Sequence, residues 1–359
     1  MTTSEHAHEF PLRAPLRRIL VQRPRALGDV LLTTPALRAL RASYPHARLD
    51  LCVDEVLEPI VRHNPHVDQV WTYPRRGGQR GQGWRLLRAL RRVRYDLVLD
   101  LHGSPRTAWI AWCSGAPHRV GYALRGRGHL YNFRVPRDTD RNGCRRALYA
   151  AQTNLEIVAR CGVRGPSLED TRLVYVGAPD VEAAMEARLG ARAAGSRRIG
   201  IAPAGTWQAK TYPLESFAAA ADRLARHGEV WILWGPGEKP WAEQVLRSMQ
   251  ARARLAPETD LQELAAFLRR LDLLVSNDSG VKHLAVACET PTLTLFGPTN
   301  PRAWLPVSGP HVGLRSRVPC LECNLTRCTH HLCMRTLDPD WVLDSALRLL
   351  ERAPRGAEA

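Results

Sequence analysis

Short apolar runs closed by turn residues recur along the chain, and between them apolar residues return at three- and four-residue intervals. RRILVQ (17–22), ARLDLCV (47–53), DQVWTY (68–73) and DLVLDL (96–101) read as strands. ALRALRASY and GWRLLRALRRV, lying between them, have helical spacing. RRIGIAP (197–203), GEVWILWGP (228–236), LDLLVSN (271–277) and TLTLFGP (292–298) repeat the pattern in the second half. Strands alternating with crossover helices predict a parallel sheet in each half, an α/β class. The stretch 168–198 reads as a linker strand, a solvated helix and a Gly-Ser boundary. The expected organisation is a disordered tail (1–16), a first Rossmann-like domain (17–178) and a second (179–359). The final amphipathic stretch, DPDWVLDSALRLLER, predicts a helix with Asp338 as cap and Pro339 in its first turn.

Chemistry concentrates where strands hand over to helices. LDLLVS ends in Asn277-Asp278-Ser279-Gly280 and is followed by VKHLAVAC at helical spacing. Free backbone N–H groups and the helix dipole at such a turn suit phosphate, although Asp278 and Ser279 are also preferred helix caps. RIGIAP leads into Gly205-Thr206, with Lys210 four residues on, offering a hydroxyl, amides and a cation to one diphosphate. Gly235-Pro236-Gly237-Glu238 places a carboxylate where it could take ribose hydroxyls, with Glu243 a nearby alternative. Leu261 to Leu268 is a candidate apolar wall beside the site or simply core. In the first half, RILVQ is followed by Arg25-Ala26-Leu27-Gly28-Asp29 and then VLLTTPALRALRASYP on one helical stripe. Asp29 is therefore placed outside the C-terminal end of a strand, as a general base or as a helix cap.

Gly28-Asp29-Val30-Leu31 with Thr34-Pro35-Ala36-Leu37, Asp278-Ser279-Gly280-Val281-Lys282-His283-Leu284-Ala285, and Phe296-Gly297-Pro298-Thr299-Asn300-Pro301 occur in that order. They resemble the motifs of glycosyltransferase family nine, which includes the heptosyltransferases of the lipopolysaccharide inner core. The resemblance spans about Arg18 to Leu349 and implies the GT-B arrangement, two doubly wound Rossmann-like domains facing across a cleft. It also implies an inverting, metal-independent transfer from a nucleotide-activated heptose, ADP-heptose, with no cofactor. Asp29 would be the base; Thr206, Lys210 and the Ser279-Gly280 amides would stabilise the leaving diphosphate. Asp278 would accept donor-sugar hydroxyls or orient its turn, and His283 would touch the site or pack behind it. The C-terminal helix would return to the first domain.

Charge sharpens the partner side. With 51 Lys plus Arg against 35 Asp plus Glu the net charge is +16, favouring anionic partners. Arginines cluster at Arg75-Arg76, Arg88 with Arg91-Arg92-Arg94, Arg125-Arg127 and Arg145-Arg146, mostly in the half that would receive the acceptor. An anionic glycolipid at the inner membrane surface fits this balance. Nucleic acid does not, because no helix-turn-helix, zinc-finger or aromatic RNA-binding signature occurs. A Rossmann dehydrogenase is excluded by the missing Gly-x-Gly-x-x-Gly turn. A related transferase using another nucleotide sugar and a non-catalytic nucleotide-sugar or membrane-binding protein remain open, with the intact Gly-Asp turn favouring an enzyme.

No signal peptide or spanning segment is expected, which suggests a cytoplasmic protein. Cys320, Cys323, Cys328 and Cys333 lie with His330-His331 close enough in sequence for one zinc ion, but their irregular gaps favour loop or packed thiols. Asp338-Pro339-Asp340 and Asp138-Thr139-Asp140 imitate the Asp-x-Asp metal motif and have simpler readings as a cap and a polar loop.

Overall fold

The computed structural model describes residues 16–74, 81–136, 148–192 and 195–352. The N-terminal tail, Arg75-Arg76, Asp138-Thr139-Asp140, Cys144 and Arg145-Arg146 lie outside them. The chain divides into two compact units, Met1–Val176 and Gly177–Ala359.

The first unit holds β1 (Arg18–Gln22), β2 (Arg48–Asp54), β3 (Gln69–Tyr73), β4 (Leu97–Asp100), β5 (His118–Tyr122) and β6 (Phe133–Val135), in the order β3-β2-β1-β4-β5-β6. The second holds β7 (Arg198–Ala202), β8 (Glu229–Ile232), β9 (Arg254–Leu255), β10 (Leu273–Asn277), β11 (Thr292–Phe296) and β12 (His311–Arg315), in the order β12-β11-β10-β7-β8-β9. Every pairing among them is parallel. The two sheets share one topology: the first strand of each sits centrally and the chain returns to its other side with the fourth. Strand order reverses at β1/β4 and at β7/β10, the positions where open α/β sheets bind ligands.

The eight strands with continuous apolar runs are those read from the sequence. β5, β6, β9 and β12 were not expected; three of them hold sheet edges and they are short or only partly buried, so no apolar run marks them. The expected linker strand is absent, because residues 171–178 form no regular element. There Val174 N donates to Thr34 Oγ1 at 2.9 Å, tying the chain to a helix of the first unit instead of to a sheet. The expected solvated helix is Pro179–Leu189. It buries Met185 and Leu189 and pairs Glu182 and Glu186 with Arg270. VLLTTPALRALRASYP is not one helix. Leu27–Leu31 and Thr34–Ser43 are separate, Thr33 Oγ1 bonds Asp29 O and Pro35 opens the second piece.

The C-terminal helix Pro339–Arg352 starts as expected, with Asp338 Oδ1 accepting from Asp340 N at 2.8 Å. Its apolar stripe, Val342, Ala346, Leu349 and Leu350, belongs to the second unit's own core with Ile199, Phe217 and Leu293. These side chains pack on the second unit's own sheet.

Candidate active site

β7 and β10 are neighbours, so the turns that follow them lie side by side. Asn277, fully buried at the end of β10, links them. Its Nδ2 donates to Pro203 O (2.8 Å) and Ala204 O (3.3 Å), and its Oδ1 accepts from Tyr212 N (2.9 Å). One side chain thus fastens both ends of the segment carrying Thr206 and Lys210. Gly205 is required by close approach, since a Cβ there would sit 2.9 Å from Thr211 Oγ1.

Asp278 is buried and fully engaged. Its Oδ2 accepts from Lys210 Nζ at 2.9 Å and Thr299 Oγ1 at 2.8 Å, while Oδ1 lies 3.2 Å from Lys282 Nζ. Desolvation pushes this carboxyl upward, but the Lys282 and Lys210 ammonium groups outweigh it and hold the pKa well below the usual carboxylate range. Lys282 is completely buried, and burial brings its pKa down to about 8 against the pull of Asp278, so it remains largely charged at neutral pH. It also donates to Trp304 O. One carboxylate facing two ammonium groups leaves a positive excess, beside the N-terminus of the helix Gly280–Ala287. Lys210 is further seated against the Trp207 ring, 4.4 Å from its centroid.

A cavity of about 200 Å³ opens next to this cluster, lined by Gly205, Thr206, Trp234, Glu238, Leu264, Ser279 and Gly280 among others. Ser279 is the N-cap residue of the helix but makes no side-chain cap bond, and its buried Oγ has no partner. An orphan hydroxyl and uncapped amides at a helix start, with excess positive charge beside them, are suited to a phosphate group. Glu238 Oε2 accepts from Gly235 N at 2.9 Å, closing its own turn at the cavity wall. Glu243 does not line the cavity and faces Arg247 at 3.9 Å. Leu264 supplies an apolar wall, while Ala265 to Leu268 are core.

His283 is buried with its ring edge on Trp304, 6.1 Å between centroids; its Nδ1 has no hydrogen-bond partner. Burial, reinforced by Lys282, drives its pKa well below the ordinary value and keeps it neutral. It does not line the cavity. The Cys-rich segment has a mechanical relation to the site. Thr326 O accepts from Ala209 N at 3.2 Å, Gln208 Oε1 accepts from Cys328 N at 3.0 Å, and His331 Nε2 meets Ala209 O at 3.1 Å. These contacts brace the short turn Gln208–Lys210 from outside. Among the described residues no three His, Cys, Asp or Glu side chains gather as metal ligands.

In the first unit Asp29 lies in the first turn of the short helix after β1 and makes no cap bond. Its Oδ1 is 2.8 Å from Arg23 Nη2, and the side chain is 25% exposed, so the carboxylate is oriented yet accessible. Arg23 is itself anchored on Leu101 O. His102, just past β4, shares this cluster. Burial and then Arg23 lower its pKa, against Asp100 and Asp29, leaving a neutral imidazole. Asp100 is buried and takes His102 N, Gly103 N (both 2.9 Å) and Tyr131 OH (2.6 Å), fixing that turn.

Asn277, Lys282, Thr299, Arg23 and His102 carried no assigned role in the sequence reading. Asn277, Lys282 and Thr299 stood inside the motifs, but nothing in their spacing shows that they point inward. Arg23 and His102 come together only through the β1/β4 pairing.

Two doubly wound parallel sheets of one topology, one with a cavity beside a buried positive excess at its switch point, are the architecture of the GT-B class. Residues 83–333 match the model of Glycosyltransferase family 9 (heptosyltransferase), and the chain belongs to that family and is a glycosyltransferase. It is 27% identical over 302 residues to lipopolysaccharide heptosyltransferase 2 of Salmonella typhimurium, covering 81% of this chain and 86% of that one. Its fold is similar to that of a family 9 glycosyltransferase from Veillonella parvula (TM-score 0.79, 24% identity, 95% of this chain and 99% of that one). It is likewise similar to that of E. coli ADP-heptose lps heptosyltransferase II (TM-score 0.75, 23% identity, 93% and 99%). Among the described residues no helix is long and apolar enough to cross a membrane.

Proposed function

We propose that this enzyme transfers a heptose from ADP-heptose to a lipopolysaccharide inner-core acceptor with inversion at the anomeric carbon. The supporting observation is the cavity beside Asp278, where the unpartnered Ser279 hydroxyl, the first amides of its helix and a buried positive excess converge. The diphosphate would lie on Thr206 and on the Ser279-Gly280 amides, with Lys210 turning toward it from Asp278. Glu238 would take ribose hydroxyls and Leu264 would face the base. Asp278, with both oxygens occupied, orients Lys210, Lys282 and Thr299, and His283 packs behind them.

In the reaction the acceptor hydroxyl oxygen bonds to the anomeric carbon as the bond from that carbon to the diphosphate oxygen breaks. The hydroxyl proton passes to the Asp29 carboxylate, which Arg23 holds in place. Negative charge growing on the departing ADP would be met by the Ser279 hydroxyl and helix amides held in place beforehand, joined by Lys210 as it turns from Asp278, and fixed donors of this kind lower a barrier.

A donor screen tests this. ADP release from ADP-heptose with a lipid A-core acceptor should exceed release from UDP-, GDP- or CDP-sugars by orders of magnitude. Preference for another nucleotide sugar would replace the donor assignment, and no acceptor-dependent release from any donor would remove the transferase reading of the cavity.

A further inference from the structure

The helices Gln82–Val93 and Pro105–Cys113 present an outer surface that the transfer chemistry does not use. They follow β3 and β4, touch one another, and sink Leu86, Leu90, Ala108, Ile110 and Ala111 into one core. Their opposite faces leave Trp84 72% exposed and Trp109 and Trp112 49% exposed each. Trp84, Arg88 and Arg91 follow one another at i, i+4 and i+7, with Arg85 and Arg92 flanking them, so indole and guanidinium share one helical stripe. On the neighbouring helix the Trp109 and Trp112 rings pack together, 5.2 Å between centroids. The two helices lie in contact, so the stripes stand on adjoining elements. The two helices carry five arginines and no Asp or Glu.

Three bulky indoles in water are unfavourable unless something covers them. Charge complementarity identifies the cover. The two helices carry no acid, so their surface is of one sign, and its large exposed apolar groups are all indoles. Indoles settle at the boundary between headgroups and acyl chains, and arginines with apolar stems reach the phosphates above them. We propose that this face docks the enzyme on an anionic lipid bilayer, with Trp84, Trp109 and Trp112 entering the interface and Arg85, Arg88, Arg91 and Arg92 pairing with lipid phosphates. The inference goes beyond the transfer reading, since it concerns a surface and not the reaction. Where both hold, it explains how a chain without a spanning helix among its described residues reaches a lipid-borne acceptor.

Sedimentation of the full chain with vesicles tests it. The protein should bind phosphatidylcholine vesicles containing phosphatidylglycerol, bind pure phosphatidylcholine poorly, and be released as salt screens the charges. The Trp84→Ser, Trp109→Ser, Trp112→Ser triple variant should lose binding. Arg88→Gln with Arg91→Gln, which leaves every indole in place, should weaken it by about ten-fold or more, since each basic residue at an anionic leaflet contributes roughly five-fold. Both variants should keep wild-type melting and wild-type ADP release with a delipidated, water-soluble acceptor. If the triple variant fails to fold, the arginine pair carries the result. Wild-type binding by folded variants, equal binding to both vesicle types, or no vesicle binding would overturn the docking surface. So would wild-type self-association or single-stranded nucleic-acid binding that the triple variant loses, in the absence of vesicle binding. The transfer reading is judged separately, on the soluble-acceptor assay, and stands or falls there whichever way the vesicles answer.

Discussion

Each unit places an aspartate at its switch point, Asp29 in the helix that follows the first strand of its sheet and Asp278 directly after the fourth strand of the other, and the two carboxylates have different surroundings. Asp278 is buried with both oxygens taken by Lys210, Thr299 and Lys282. Asp29 is a quarter exposed and held by the Arg23 guanidinium. A carboxylate with that many donors is committed to structure, because protonating it would strand two ammonium groups. One held from a single side and open to solvent retains the capacity to receive a proton. An aspartate after the fourth strand of one sheet is thus committed to the charge cluster beside the cavity, while one after the first strand of the other stays open enough to take a proton in the proposed mechanism.

The comparison breaks most visibly in stability. Asp278→Ala should destabilise the second unit by about 3–5 kcal/mol, because Lys282 would remain buried without a counter-charge. Denaturant melts resolve this against Asp29→Ala, which should cost far less; equal losses would erase the distinction.

A pH series sharpens it. His311 accepts or donates a hydrogen bond with Thr292 Oγ1 at 3.0 Å, and burial, aided by Lys282, lowers its pKa to about 4. The folded state resists a proton that the unfolded chain takes at about 6.5, so this contribution is intact above pH 6.5 and is lost as pH falls toward 4. The loss amounts to about 3 kcal/mol. His311→Gln should flatten the fall in melting temperature across that window, and an unchanged slope would show that His311 does not titrate as described.

Smaller again is the effect of removing Lys210. Lys210→Ala should weaken ADP binding in calorimetry by about 1.5–3 kcal/mol, the range for a charge-assisted contact. Asp278 keeps Lys282 and Thr299 in that variant, so the melting point should move little. Unchanged affinity would assign Lys210 to Asp278 alone.

The strands that bury both faces announced themselves as apolar runs, and the turns carrying Asp29, Thr206, Glu238 and Ser279 followed from where those runs stopped. What the sequence hid was direction. Lys282 sits one residue from His283 in a helix, and nothing in VKHLAVAC distinguishes a solvated lysine from a fully buried one; only the Asp278 carboxylate makes its burial tolerable. Asn277 likewise reads as an ordinary turn residue, although its amide holds two turns 65 or more positions apart. Edge strands such as β9 and β6 have too few residues for a period, and they form because a central strand offers unpaired backbone. The C-terminal helix was legible in place and cap, while an apolar stripe alone does not name the surface it meets.

The central claim, that chemistry rests with Asp29 and donor binding with the second unit, is tested most directly by turnover and ADP affinity measured together on Asp29→Asn. The amide keeps the shape of the turn and removes the basic oxygen. Turnover should fall by about 100-fold or more while ADP affinity and melting temperature stay at wild-type values. Near-normal turnover in that variant would contradict the account and leave Asp29 a partner of Arg23 and nothing more.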